Sequence, residues 1–106
     1  METDSIRELV KLLRTNAFKA PARLAILLYL LVKEEAFFTD LVEALDLTPG
    51  NLWSHLKRLE NEGYIVIKHI ITDRPRIVIR LSSKGYKEIM NLVIRVRTLL
   101  ESFNTK

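Results

Sequence analysis

LTPGNLWSHLKRLENEG, residues 47–63, sets a proline and a glycine side by side at the start of an amphipathic pattern. Those two residues forbid a helix interior, but they suit a helix beginning. Thr48 supplies a capping hydroxyl, Pro49 takes the first helical position, and Gly50 the second, where no internal hydrogen bond is lost. Gly63 suits the left-handed residue that commonly follows a helix. At about 100° per residue, Leu52, Leu56 and Leu59 fall within roughly 60° of one another and form the buried stripe. Opposite them stand Asn51, Ser54, Lys57, Arg58 and Asn61, with Glu60 and Glu62 nearer the flanks. Hydrogen-bonding side chains, cations and no carboxylate are what a helix entering a major groove requires. The plainer alternative is a solvated helix face.

The context weighs against that alternative. A short helix is expected to start at Thr39 as its cap, with Asp40 in its first turn and Leu41, Val42 and Leu45 inward. Only Asp46, Leu47 and Thr48 separate it from the quoted helix, the spacing of a helix-turn-helix. Upstream, residues 4–14 predict an amphipathic helix. Pro21 opens a largely apolar one reaching about residue 32, and residues 36–38 read as a short extended segment. Downstream, residues 64–71 and 76–81 are Ile- and Val-rich strands joined through Thr72, Asp73, Arg74 and Pro75. Lys68, Arg76 and Arg80 occupy their polar phase; Ile65, Ile67, Ile77, Ile79 and Leu81 occupy the other. Ser82 or Ser83 then caps a final helix to about Phe103.

Charge is segregated along the chain. From Thr48 to Arg80 six Lys or Arg face three acids, whereas residues 34–47 hold five acids and no Lys or Arg. The whole chain of 106 residues carries a net +4, which points toward a polyanion, and is expected to form one domain over 1–106. It has no cysteine, which removes disulfides, thiolate metal sites and cysteine nucleophiles. The start, METDSIREL, has no signal-peptide character, and the longest apolar run, residues 24–32, is too short to span a membrane. A cytoplasmic protein with no membrane partner is expected. Gly50, Gly63 and Gly85 are the only glycines, so no phosphate-cradling loop can be drawn. No carboxylate pair or Ser-His-Asp set emerges either, and an enzyme is not expected. His55 and His69 make a poor metal site on their own, so neither metal nor cofactor is expected.

The segments PARLAILLYL (21–30), LTPGNLWSHLKRLENEGYI (47–65) and RPRIVIRLSSKGYKEI (74–89) resemble winged-helix transcriptional regulators of the MarR/ArsR-like class, most closely its small single-domain subgroup. The resemblance covers nearly all of the chain after the first helix. It implies an α+β, mainly α fold: a winged helix-turn-helix with a two-stranded wing and N- and C-terminal dimerisation helices. The helix-turn-helix would span about 39–62, with 48–62 the recognition helix. The wing would span about 64–81, with its tip at 71–76, and the C-terminal dimerisation helix about 83–103. Two positions depart from the pattern. Trp53 stands where the subgroup usually has a small polar residue, and Ile77 where threonine is common. Metal-sensing relatives use Cys or His-carboxylate sets that are absent here.

The expected function is sequence-specific binding of double-stranded DNA by a homodimeric transcriptional regulator. Thr48, Asn51, Ser54 and Arg58 would approach base edges and nearby phosphates, with Lys57 on the backbone. Arg74 would enter the minor groove, and Lys68, Arg76 and Arg80 would hold phosphates. The final helix carries an apolar stripe, widened by Met90 and Ile94, broader than one core requires. The expected dimer interface is Ile6, Leu9, Val10, Leu13, Ile89, Leu92, Val93, Val96, Leu99, Leu100 and Phe103. Coverage of the excess by the N-terminal helix of the same chain is the competing explanation. The competing function is a winged helix used for protein–protein contact, which would present an apolar or acidic recognition face. A small-molecule effector is left open.

Overall fold

The computed structural model describes residues 2–104; positions 1, 105 and 106 of the expected domain lie outside the described residues. The helices are α1 (Glu2–Leu13), α2 (Pro21–Lys33), α3 (Phe38–Leu45), α4 (Pro49–Asn61) and α5 (Ser83–Asn104). The strands are β1 (Glu35–Phe37), β2 (Ile65–Ile71) and β3 (Pro75–Leu81). This is a winged-helix fold, mainly helical, with a small antiparallel sheet.

The local chemistry accounts for most boundaries. Pro21 and Pro49 each sit at the start of their helices. The Asn51 amide donates to Thr48 Oγ1 at 3.2 Å, closing the α4 cap. Gly63 ends the helix region with φ +83°, where a side chain is disfavoured. At the other end of the hairpin the Gly85 amide donates to Ser82 Oγ at 3.0 Å, so Ser82 is the cap of α5.

Thr39 is not a cap. Phe37 holds the cap position of α3, and its amide donates to the Asp40 carboxylate at 3.0 Å. The reason lies in the sheet: β1 keeps the backbone extended through Phe37, and the helix then begins at once. The extended segment expected at 36–38 is β1, Glu35–Phe37, and it joins the two-stranded wing as the third strand of one sheet. The order is β1-β3-β2, with Ala36 opposite Ile79 and Phe37 opposite Val78. Pairing with β1 closes an edge that β3 would otherwise leave open.

The core gathers Ile26, Leu27 and Leu30 of α2, Leu41 of α3, Leu52, Leu56 and Leu59 of α4, Ile65 and Ile79 of the sheet, and Ile89 of α5. Each such side chain contributes about 1.5–3 kcal/mol by leaving water. One apolar cluster therefore clamps α4 from behind and leaves its other side free. Among the described residues no helix is long and apolar enough to cross a membrane.

Candidate nucleic-acid interface

With Leu52, Leu56 and Leu59 buried, Asn51, Ser54, Lys57 and Arg58 are all exposed on α4, and Thr48 is exposed at its cap. The Thr48 hydroxyl oxygen already accepts the Asn51 amide, which leaves its proton as the group free to donate outward. Lys57 is engaged within the helix: its ammonium lies 2.6 Å from Glu60 Oε1 and 5.6 Å from the Trp53 ring centroid. Trp53, 36% exposed, turns edge-on to Phe38 with ring centroids 6.0 Å apart. It therefore packs against the start of α3 while keeping one edge on the flank of α4.

The hairpin cations divide. Register places Val66 opposite Arg80, Lys68 opposite Val78, and Ile70 opposite Arg76, so Lys68, Arg76 and Arg80 share the sheet face turned away from the core. Arg74 stands exposed in the tip between β2 and β3. Arg76 is the most committed of them. Its guanidinium lies 4.6 Å from the Phe37 ring centroid, and its Nε is 3.6 Å from Asp73 Oδ1. The Thr72 hydroxyl donates to Asp73 at 2.7 Å and holds its carboxyl below the usual range, aided by a backbone hydrogen bond and by Arg76. Arg58, Lys68, Arg74 and Arg80 enter no side-chain hydrogen bond or ion pair among the described residues. Of the expected contact residues, these four are the cations that no other described side chain engages.

Arg23 is the residue that sequence reading passed over. It is 8% exposed and forms no ion pair among the described residues. Its Nε and Nη2 both donate to the Asn16 carbonyl, at 3.0 and 2.9 Å, and Nη1 approaches His55 Nδ1 at 3.3 Å. A guanidinium only donates, so Nδ1 accepts and the imidazole proton sits on Nε2. The buried arginine thus ties the loop after α1 to α4. A signal was present: position 23 lies on the same helical stripe as the buried Ile26, Leu27 and Leu30.

This contact makes His55 a poor proton acceptor. Burial, then Arg23 and Arg58, lower its pKa from 6.5. Below that value the unfolded chain takes up a proton that the folded chain resists, so stability falls as pH drops through the window beneath 6.5. The melting temperature is expected to fall between about pH 7.5 and pH 5.5, and to fall less in His55→Asn, whose amide oxygen can still accept from Arg23. Equal losses in both proteins would refute this account. His69 stands elsewhere, opposite Ile77, and among the described residues no group of three His, Cys, Asp or Glu could hold a metal.

The expected dimer residues also divide. Ile89 lies in the chain's own core with no exposed surface, whereas Leu92 is buried in the single chain but also lines an apolar groove. This corrects the placement of Ile89 at an interface, because α5 must use one side to close the core over α2 and β3. α1 packs against α5 and half-buries Leu9, Leu13, Val93 and Leu99. Ile6, Val10, Val96, Leu100 and Phe103 remain exposed, with Leu28 and Ile94 beside them. An apolar groove of about 420 Å³ runs between α1, α2 and α5, lined by residues such as Leu24, Leu28, Val96 and Leu100.

A family model described as a winged helix DNA-binding domain matches residues 22–100. The chain is 35% identical over 83 residues to the uncharacterized protein MJ0432 of Methanocaldococcus jannaschii, covering 77% of this chain and 90% of that one. Its structure is similar to that of a transcriptional regulator homologue from Pyrococcus horikoshii OT3, with a TM-score of 0.79, 30% identity, and coverage of 94% and 97% of the two chains. It also shares its fold with a MepR variant from S. aureus bound to an oligodeoxyribonucleotide, at a TM-score of 0.76 and 14% identity, covering 98% of this chain and 76% of that one. The chain belongs to the family of winged helix DNA-binding domains.

Proposed function

We propose that the protein is a sequence-specific transcriptional regulator of the MarR/ArsR-like class, in its small single-domain subgroup, which acts as a homodimer on double-stranded DNA in the cytoplasm. The observation that carries this reading is the surface of α4. Its outward side chains are polar or cationic and exposed, while one continuous apolar cluster holds the opposite side. The Pyrococcus horikoshii relative, called a transcriptional regulator homologue, and the oligodeoxyribonucleotide held by the MepR variant support it.

In this mechanism α4 enters the major groove. Asn51 and Arg58 reach base edges, Ser54 and the Thr48 hydroxyl donate to bases or nearby phosphates, and Lys57 stays near the backbone. Arg74 enters the adjacent minor groove from the tip of the wing. Lys68 and Arg80 bind phosphates; Arg76 does so only if it leaves Asp73. A twofold axis through α1 and α5 sets the two recognition helices to read half-sites about 34 Å apart.

Fluorescence anisotropy against duplex DNA, repeated across salt concentrations, tests the reading. Affinity should fall linearly with salt on logarithmic axes. Arg58→Ala is expected to weaken binding by about 10–100-fold and relax specificity at one base pair. Arg74→Ala should weaken binding across sequences and lower the salt slope by about 1. Unchanged affinity in both variants would defeat the residue assignments. No binding by the unaltered protein at low salt would defeat the function and favour a protein partner.

A further inference from the structure

Gly50 has no reason inside the chain to be glycine. The other two glycines do: Gly63 stands at φ +83°, and a Cβ on Gly85 would overlap the Tyr64 carbonyl oxygen. Gly50 has no left-handed backbone, and beyond its chain neighbours and its own helix backbone a Cβ built on it meets no atom of the described residues within 4 Å. It lies within α4, where glycine is the poorest helix former after proline. An alanine would fit the fold and favour the helix.

Its place on the helix suggests what glycine is for. By helical geometry Gly50 and Ser54 lie roughly 150–170° from the centre of the Leu52, Leu56 and Leu59 stripe, on the outward crest. Trp53 and Lys57 rise on one flank, Asn51 and Arg58 on the other. Over the first two turns of α4 the crest is therefore bare at Gly50 and carries only a hydroxymethyl at Ser54, between taller side chains; Asn61 follows on it at the far end of the helix. A surface of this form suits a partner that must come close to the helix backbone while the flanking side chains reach past it. The floor of a major groove is such a partner, because base-edge hydrogen bonds weaken steeply once donor and acceptor exceed about 3.2 Å.

We infer that Gly50 sets the docking depth of α4: its missing side chain lets the helix backbone contact the duplex, and that depth allows Asn51 and Arg58 to reach the bases. The inference rests on the proposed DNA-binding function. Depth set at this crest acts on specificity directly, since contacts to phosphates tolerate a shallower seat than contacts to base edges do.

The test compares the unaltered protein with Gly50→Ala, using duplexes that the unaltered protein retains from a random pool. Thermal unfolding should show the variant more stable by about 2–6 °C. At one salt concentration its affinity for the selected duplex should fall at least about 10-fold, with the salt slope unchanged because no cation is lost. Equal affinity in a stabilised variant would overturn the inference and leave the proposed function standing. Weaker binding with a lower melting temperature would also overturn it, because the glycine would then serve the fold. If the unaltered protein retains no duplex, the proposed function fails first and the inference with it.

Discussion

Aspartate at Val96 and Leu100 together is expected to halve the mass of the protein in solution and to weaken DNA binding by at least about 100-fold. Both side chains are exposed in the single chain, Leu100 at 58%, so the substitutions leave the core of the monomer intact. Two features support the proposed dimer. The radius of gyration is 15.4 Å, against about 13 Å for a compact domain of this length. The long axis of 54 Å is more than twice either of the others, and the distal part of α5 carries Val96, Leu100 and Phe103 into solvent. Covering a side chain of this kind is worth about 1.5–3 kcal/mol, and a second copy brings the same groove and stripe to its partner. In the proposed dimer two copies of α4 engage one duplex, so its loss would remove one of two linked sites, and such linkage is worth about 10²–10⁴ in affinity when geometry permits both to engage. Sedimentation at micromolar concentration reads the mass and anisotropy reads the affinity. A monomeric unaltered protein would end the dimer hypothesis, and a double variant that remains dimeric would end the placement of the interface at Val96 and Leu100.

Alanine at Gly85 should be the most damaging single methyl in the chain. A Cβ there would overlap the Tyr64 carbonyl oxygen and lie 2.9 Å from its carbon. That carbonyl accepts the Ser82 amide at 3.0 Å, and Tyr64 sits directly after the turn that ends the α4 region, so it cannot withdraw without loosening the start of α5. Alanine regains about 1 kcal/mol of helix propensity, but overlap with a backbone carbonyl that is already hydrogen-bonded outweighs it. A net loss of about 3 kcal/mol is expected, a large fraction of the 5–15 kcal/mol that typically holds a domain folded. Denaturant unfolding measures it directly; a loss below about 0.5 kcal/mol would show that α5 can shift away at little cost. The same Gly→Ala change thus carries opposite signs at two positions, stabilising at Gly50 and destabilising at Gly85.

The elements around α4 were legible because their signals are local. A hydroxyl before Pro49, leucines at helical spacing and a glycine at the end define a helix with little help from the rest of the chain. The strands showed through their alternation, and the polar phase of Lys68, Arg76 and Arg80 emerged on one sheet face as expected. Thr39 misled because a cap is chosen by where the backbone stops being extended, and β1 extends that point to Phe37. Ile89 misled for a similar reason. A stripe on α5 shows that residues are apolar but not which neighbour buries them, and α2 with the sheet claims this one. Arg23 was hidden in a run of leucines and alanines, since only the fold brings Asn16 and His55 to its guanidinium.

What the sequence determined alone is the order of helices and strands, the inward stripe of α4, and the concentration of cations from Thr48 onward. Each depends on neighbours within a few residues, where periodicity, capping and charge act directly. Tertiary structure alone decided which cations are free. Arg76 is held by Phe37 and Asp73 and Lys57 by Glu60, while Arg58, Lys68, Arg74 and Arg80 engage no other side chain among the described residues. It also decided that Gly85 is required by the backbone of Tyr64 whereas Gly50 faces open space. A glycine looks the same in any sequence; what lies beyond its absent side chain is set by residues far away in the chain.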